Sequence, residues 1–369
     1  MLTNLVTKRV FIAATRMNDG KTTASLGLFE ALKKQHPRIG FIKPVGQRFV
    51  EIEGEKIDED SVLMDQRHRM DIPLVEMSPV AVEPDFTRRF LSGGVANDAL
   101  VRRIEKAFDR CAWEKDFVII EGTGHAGVGS VFDLSNARVA SILKSKVILV
   151  TLGGVGRPVD EVALNKALFD SMGVEVIGVI VNKALPEKID MVADFCRRGF
   201  KRLGLELLGV IPNQLTLTQP TVGQVCEVLK GEFLNGDRNR NARVSRVVIG
   251  AMQPQHVLEN CDKGVLIITT GDRDDLILEV LSDCARGSDT RERVAGIVLT
   301  RDITPPKNIL ELVGKTDIPL ILSGEGIYAV ASKVHDMTVK TTASDTDKIE
   351  LIEQIFAKHV SVEKILAKL

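Results

Sequence analysis

The chain has 369 residues, 44% of them hydrophobic and 27% charged, with a formal net charge of −1. This composition is that of a soluble globular protein with two domains, and a charge so close to zero excludes a global field that would draw nucleic acid or anionic lipid. No apolar run is long enough to span a bilayer, the N-terminal MLTNLVTKRV lacks the apolar core of a signal peptide, and the five scattered cysteines lack CxxC spacing, so a cytoplasmic protein without a disulfide framework or zinc site is expected.

The first element is the apolar run at residues 10–14, which reads as a strand. Residues 24–32 then read as a helix, and Gly20-Lys21-Thr22 falls where the strand turns into it. That is the setting a phosphate-binding loop requires. First-turn N–H groups of a helix have no partner within it, and together with the helix dipole they attract anions. The expected nucleotide contacts are Asn18, Asp19, Gly20, Lys21, Thr22 and Thr23. Lys21 supplies a charge near the outer phosphates and Thr22 a hydroxyl for Mg²⁺. Thr15 stands where the usual pattern opens with glycine. Arg16 has two readings: a cation reaching across a dimer, as in deviant phosphate loops, or an exposed arginine on a loop tip.

Further strands are expected at 39–42, 117–121, 147–151, 176–181 and 207–211. Helices are expected near 22–35, 98–111, 135–144, 158–172 and 187–203. Most of the strands are continuously apolar, as strands covered on both faces are. The βα alternation predicts an α/β fold, a mostly parallel sheet with helices on both faces, and ligands beyond the carboxyl ends of its strands. Lys43-Pro44 follows the second strand, and Lys43 is either a solvated lysine or a site residue. Asp58-Glu59-Asp60 precedes a helical stretch as an acidic face, a cap or a metal ligand. Glu121 ends the next strand before Gly122-Thr123-Gly124, where glycines allow close approach to a metal-phosphate centre. With Asp60 and Thr22 it would satisfy Mg²⁺, which prefers hard oxygens. His125 is a substrate contact or a local hydrogen-bonding group. Asn182 ends the strand at 176–181 as a turn residue or as a reader of the purine edge.

The succession of phosphate loop, Lys43-Pro44-Val45, Asp60, Glu121-Gly122-Thr123-Gly124, Val181-Asn182-Lys183 and Gly209-Val210-Ile211-Pro212 resembles dethiobiotin synthetase and the cobyrinic acid a,c-diamide synthase ATPases. More closely, it resembles the synthetase-like N-terminal part of long phosphate acetyltransferases. The resemblance implies that Lys21 and Thr22 bind phosphates and Mg²⁺. It also implies that Lys43 faces substrate and the γ-phosphate, that Asp60 and Glu121 serve the metal, and that Lys21 and Lys43 are the catalytic pair.

The texture changes near residue 219, which sets domains of 1–218 and 219–369. Asn235-Gly236 has hairpin-turn chemistry, and residues 238–246 read as a solvated basic loop. Strands are expected at 247–249, 265–269, 296–300 and 320–322. Gly271-Asp272-Arg273-Asp274-Asp275, the strand 296–300 and Ile327-Tyr328-Ala329-Val330-Ala331-Ser332 resemble the DRTGG domain, which implies dimerisation and regulation. Asp272 and Arg273 read as an ion pair with a helix cap or as ligand contacts. Arg301-Asp302 stand where that family often has two glycines, at the turn a ligand pocket would use. Residues 347–369 read as an amphipathic helix that packs on the body or on a partner. The acetyltransferase domain of the long relatives would follow near residue 360, so acetyl transfer is not expected. Three functions remain, in each case for a homodimer: a Mg²⁺-dependent ATP hydrolase or ATP-dependent ligase-like enzyme, a nucleotide sensor acting on a partner metabolic enzyme, or, least expected, a scaffold with a vestigial site.

Overall fold

The computed structural model describes residues 2–285, 290–337 and 339–369. The chain forms two units. Residues up to Gln214 together with Thr341–Leu369 make the first, and Leu215–Lys340 make the second. The observed division thus falls at 214/215 instead of 218/219. It also groups the C-terminal helix with the first unit, whereas the sequence reading placed it in the second domain.

The first unit is built on six strands: β1 (Lys8–Ala14), β2 (Ile39–Ile42), β3 (Phe117–Glu121), β4 (Lys146–Leu152), β5 (Val176–Ala184) and β6 (Leu207–Pro212). Their order is β6-β5-β4-β1-β3-β2, and every neighbouring pair is parallel. These strands are apolar and buried almost throughout, and all five residues of β3 are buried, Glu121 among them. The helices between them are α1 (Lys21–Lys33), α2 (Glu59–His68), α3 (Asn97–Cys111), α4 (Asn136–Ile142), α5 (Gly156–Ser171) and α6 (Ile189–Arg202). The order reverses at β1, with β3 on one side and β4 on the other, and such a switch point opens a crevice at the strand ends. Register pairs Ile12 with Glu121 and Ile42 with Ile120, so the ends of β1, β2 and β3 lie side by side. One feature escapes the sequence reading. Phe49–Ile52 pairs antiparallel with Glu55–Asp58 through Glu53 and Gly54, both with positive φ. A two-residue turn with both φ values positive matches the twist of a hairpin, and this one delivers Asp58 and Asp60 to the crevice.

The second unit has β7 (Glu232–Asn235), β8 (Arg246–Ile249), β9 (Val265–Thr270), β10 (Val294–Thr300) and β11 (Leu320–Leu322) in the order β7-β11-β10-β9-β8. Its helices are α7 (Val222–Leu229), α8 (Pro254–Glu259), α9 (Asp274–Ala285), α10 (Lys307–Val313) and α11 (Ile327–His335). Alternate residues of β9 face opposite cores. Val265 and Ile267 pack with α8, α9 and α10, while Leu266 and Ile268 pack with α7 and α11. The expected Asn235-Gly236 hairpin is not formed. β7 instead pairs antiparallel with the distant β11. The Asn235 amide reaches the carbonyls of Val313, Thr316 and Ile318 at 3.1, 3.0 and 2.9 Å, so tertiary partners outweigh the local turn preference.

The C-terminal segment returns to the first unit. Its helix α12 (Thr346–His359) lies against α1, where a Cβ on Gly27 would sit 2.3 Å from the Phe356 side chain. Arg67 of α2 pairs with Glu353 at 2.8 Å. Beyond the helix, Val360 bridges Gly209 of β6 and the Ser361 N–H donates to Leu208 O at 2.9 Å. All five cysteines are free, and no helix among the described residues is long and apolar enough to cross a membrane.

Candidate functional site

The loop from β1 to α1 takes a shape that its sequence dictates. Asn18 and Gly20 both have positive φ, 63° and 105°. Gly20 cannot carry a side chain, because a Cβ there would sit 2.0 Å from Nδ2 of Asn182. The Asp19 carboxylate turns back into the loop and accepts from the Arg16 N–H at 2.7 Å and the Thr15 hydroxyl at 2.8 Å. Thr15, where the usual pattern opens with glycine, thus ties its hydroxyl to the loop's own Asp19 and to Thr151. Burial raises the pKa of Asp19, against the lowering by these bonds. Helix α1 begins at Lys21 without a side-chain cap, which leaves its first N–H groups for a ligand. Lys21 has no ion-pair partner among the described residues. Burial, with Lys43 nearby, pushes its pKa down to about 8.

A second group of charges gathers beside this helix start. Lys43, buried at the end of β2, contacts the carboxylates of Asp60, Glu121 (3.1 Å) and Asp58 (3.5 Å). Burial alone would lower its pKa, but Asp60, Glu121 and Asp58 together hold it well above the ordinary value. Burial raises the pKa of Glu121, against the pull of Lys43. The Thr22 hydroxyl lies 3.2 Å from both Asp60 and Glu121, and Ser25, one turn along α1, donates to the other Glu121 oxygen at 2.6 Å. Asp58 caps α2 by accepting from the Asp60 N–H at 2.9 Å, which fixes where Asp60 points. Lys43 and Glu121, read from two strand ends, Asp60, read from the acidic cluster before a helix, and Thr22, read from a helix start, are thus brought together. Asp58 and Ser25 complete the group. The Asp58-Glu59-Asp60 cluster was visible in the sequence, but only the hairpin tells its members apart. The oxygens of Thr22, Asp60 and Glu121 are the hard donors that Mg²⁺ takes. Among the described residues no three His, Cys, Asp or Glu side chains form a metal cluster, so a metal here would need oxygens from a ligand and water.

The remaining expected residues fall at the rim. Asn182 is buried at 4% exposure, its amide donating to Asp19 O at 2.8 Å and its carbonyl accepting the Lys183 N–H at 2.9 Å. Lys183 reaches Asn18 O at 2.8 Å. The half-exposed Arg16 pairs with Glu161 at 2.5 Å. His125 is exposed, and its Nδ1 accepts from the Gly127 N–H at 3.2 Å, the local bond that one of its readings expected. Asn136 fixes the loop after β3 by bonding both backbone groups of Thr123, at 3.0 and 2.7 Å. In the second unit Arg273 pairs with Asp275 at 2.8 Å and reaches the carbonyls of Gly250 and Met252.

Residues 8–221 match the AAA domain family AAA_26. The chain belongs to that family. Residues 224–337 of this AAA-domain protein match the DRTGG domain. Among curated proteins it is similar to the phosphate acetyltransferase of Pseudomonas aeruginosa, 29% identical over 96% of this chain and 51% of that protein. The phosphate acetyltransferase of Synechocystis is 26% identical over 98% of this chain and 52% of that protein. The chain spans about half the length of the curated relatives it matches. Among solved structures the AAA-domain protein is similar to the MinC:MinD cell division protein complex of Aquifex aeolicus, with 13% identity and a TM-score of 0.37 over 57% of this chain and 83% of that one. It is also similar to the CBS and DRTGG domains of the Clostridium perfringens pyrophosphatase complexed with diadenosine tetraphosphate, with 15% identity and a TM-score of 0.26 over 48% and 86%.

Proposed function

We propose that the AAA domain binds ATP with Mg²⁺ and hydrolyses it, and that the DRTGG domain forms a homodimer that answers to nucleotide occupancy. The observation that carries this is the pairing of two lysines in opposite states at one helix start. Lys43 is neutralised by carboxylates. Lys21 is desolvated, makes no ion pair among the described residues although Glu121, Asp60 and Asp19 act on it from nearby, and gains from a polyanion. A triphosphate on the free N–H groups of α1 would give Lys21 its partner. Thr22, Asp60 and Glu121 would hold Mg²⁺ between them and the phosphates, where the ion would offset charge on the transferring phosphoryl group. The dethiobiotin-synthetase type of chemistry adds a role for Lys43, steadying the γ-phosphate against a carboxylate acceptor.

A second reading has its own observation. Lys43 is buried at 5% exposure and held by three carboxylates, an arrangement suited to holding a site closed. In that reading the domain senses ATP without turnover and acts on a metabolic enzyme such as a phosphate acetyltransferase.

Calorimetry and steady-state ATP turnover test both. The wild-type chain is expected to bind Mg-ATP, and Lys21→Ala to weaken binding about 10- to 100-fold, the worth of a charge-assisted contact. Glu121→Gln is expected to weaken binding about tenfold with Mg²⁺ and little in its absence. Turnover lost in Lys21→Ala supports the enzyme, and binding without turnover supports the sensor. A wild-type chain that binds no ATP would sink both.

A further inference from the structure

Lys43 sits among the carboxylates that a metal would use. Its ammonium contacts Asp60 Oδ2 and lies 3.1 Å from Glu121 Oε1 and 3.5 Å from Asp58 Oδ1. An ammonium has three N–H donors, and this one faces three carboxylates. All four side chains are buried. Carboxylates gathered away from water require a cation between them, and Lys43 supplies it.

The oxygens of Asp60 and Glu121 are each engaged. Glu121 Oε2 accepts from the Ser25 hydroxyl at 2.6 Å, and Oε1 faces both Lys43 and the Thr22 hydroxyl, at 3.1 and 3.2 Å. Asp60 Oδ2 faces Lys43, and its Oδ1 faces Thr22 at 3.2 Å. A divalent ion held by Thr22, Asp60 and Glu121 would therefore meet the ammonium as a like charge, in a buried place where water screens little.

The third carboxylate differs from the other two. Asp58 Oδ1 caps α2 through the Asp60 N–H at 2.9 Å, and a Cβ on Gly46 would sit 2.5 Å from its Oδ2. Asp58 is fixed by its own helix, so it stays with Lys43 when Asp60 and Glu121 are given to another cation. The backbone of Lys43 is fixed as well, its N–H donating to Met77 O at 2.8 Å. Any change of partner must come from the flexible side chain.

We propose that Lys43 is a built-in cation that holds the carboxylates of the metal site against free divalent ions, so that the AAA domain takes a metal only together with the phosphates that draw Lys43 off them. The inference rests on the nucleotide reading above and adds to it an order of binding. Lys43 exchanges Asp60 and Glu121 for phosphate oxygens, and Asp58 keeps the ammonium within reach.

The test is made first without nucleotide. Mn²⁺, which takes the same hard oxygens as Mg²⁺ and is read by electron paramagnetic resonance, is titrated into the wild-type chain, Lys43→Met and the double variant Lys43→Met/Glu121→Gln. Melting temperatures are taken with and without the ion. The wild type is expected to leave Mn²⁺ free until ATP is added. Lys43→Met is expected to bind one equivalent without ATP, about 10- to 100-fold more tightly than the wild type, for the removal of one like charge from a partly screened site. It should also melt higher with Mn²⁺ than without, and the double variant should lose both gains. Lys43→Gln, which keeps an N–H donor among the carboxylates, carries the same expectation and reads it if Lys43→Met does not fold. Stoichiometric Mn²⁺ binding by the nucleotide-free wild type, no gain in either Lys43 variant, or a gain that survives Glu121→Gln overturns the gate. A wild-type chain that binds no ATP overturns the nucleotide reading and the exchange with it, whereas one that binds Mg-ATP and fails the nucleotide-free arms keeps that reading and loses the gate.

Discussion

The two units lay helices over the same kind of buried parallel strands and use the strand ends in opposite ways. In the AAA domain the loop after β1 leaves groups unspent, namely N–H groups without a partner and a lysine without an ion pair among the described residues. In the DRTGG domain the end of β9 consumes its charge internally, with the Arg273 guanidinium shared among Asp275 and two carbonyls. The turn after β10 passes through Arg301 and Asp302 at φ 63° and 54°. A shared architecture therefore does not make a shared site. What differs is whether the loops satisfy their own polar groups or hold them ready for a ligand.

The first way to sharpen that contrast is to disturb one unit alone. Phe356 is fully buried and packs on the bare face of Gly27. Phe356→Ala is expected to destabilise the first unit by about 3–5 kcal/mol. Hydrogen exchange should rise in β1 and α1 and stay unchanged in β9 and β10, and equal loss in both sheets would show that the units unfold together. A smaller difference lies in acid sensitivity. His68 stacks on Phe29 at 3.9 Å between ring centroids, its Nε2 has no hydrogen-bond partner among the described residues, and burial lowers its pKa to about 3. A folded value below the unfolded one of about 6.5 gives stability that is present above pH 6.5 and is lost as pH falls toward 3. The first unit should lose about 1–2 kcal/mol between pH 7 and 5 from this group, and His68→Leu should remove the loss in urea titrations at the two pH values. The smallest effect has the opposite sign. Arg301→Gly relieves a left-handed residue at the cost of backbone entropy, and should stabilise the second unit by about 0.5 kcal/mol, read as a higher urea midpoint at unchanged slope. A lower midpoint would mean that the arginine side chain is needed there.

Most of the sheet was legible because its strands are apolar without interruption. β2, β3 and β11 have the very limits that their apolar runs set. The charged residues were legible because a parallel sheet puts strand ends together, so Lys43 and Glu121 were expected at one site, though not as the ion pair they form. The hairpin at residues 49–58 was not, since its strands are largely exposed and polar and carry no apolar period. Without the hairpin, Asp58 and Asp60 look equivalent. The difference between a cap and a ligand depends on which N–H the Asp58 carboxylate accepts, and that is tertiary information. Asn182 was found for its place after a strand. Its amide is held by a carbonyl 163 residues earlier in the chain, which no local pattern encodes. The Asn235-Gly236 pair shows the converse, a strong local signal overruled by three distant carbonyls.

The chain leaves the AAA domain after Gln214 and re-enters it at Thr341, so the DRTGG domain is spliced into its host and not hung from its end. Severing the polypeptide at 214 would strip α12 from α1 and leave Gly27 facing water, while a fragment beginning at 215 would carry a homeless helix with Phe356 on its surface. The pieces that respect the packing are 215–340 on its own and a host in which 214 is rejoined to 341 by a short linker. The second junction, at 340/341, leads into α12, the helix that packs on the phosphate-loop helix.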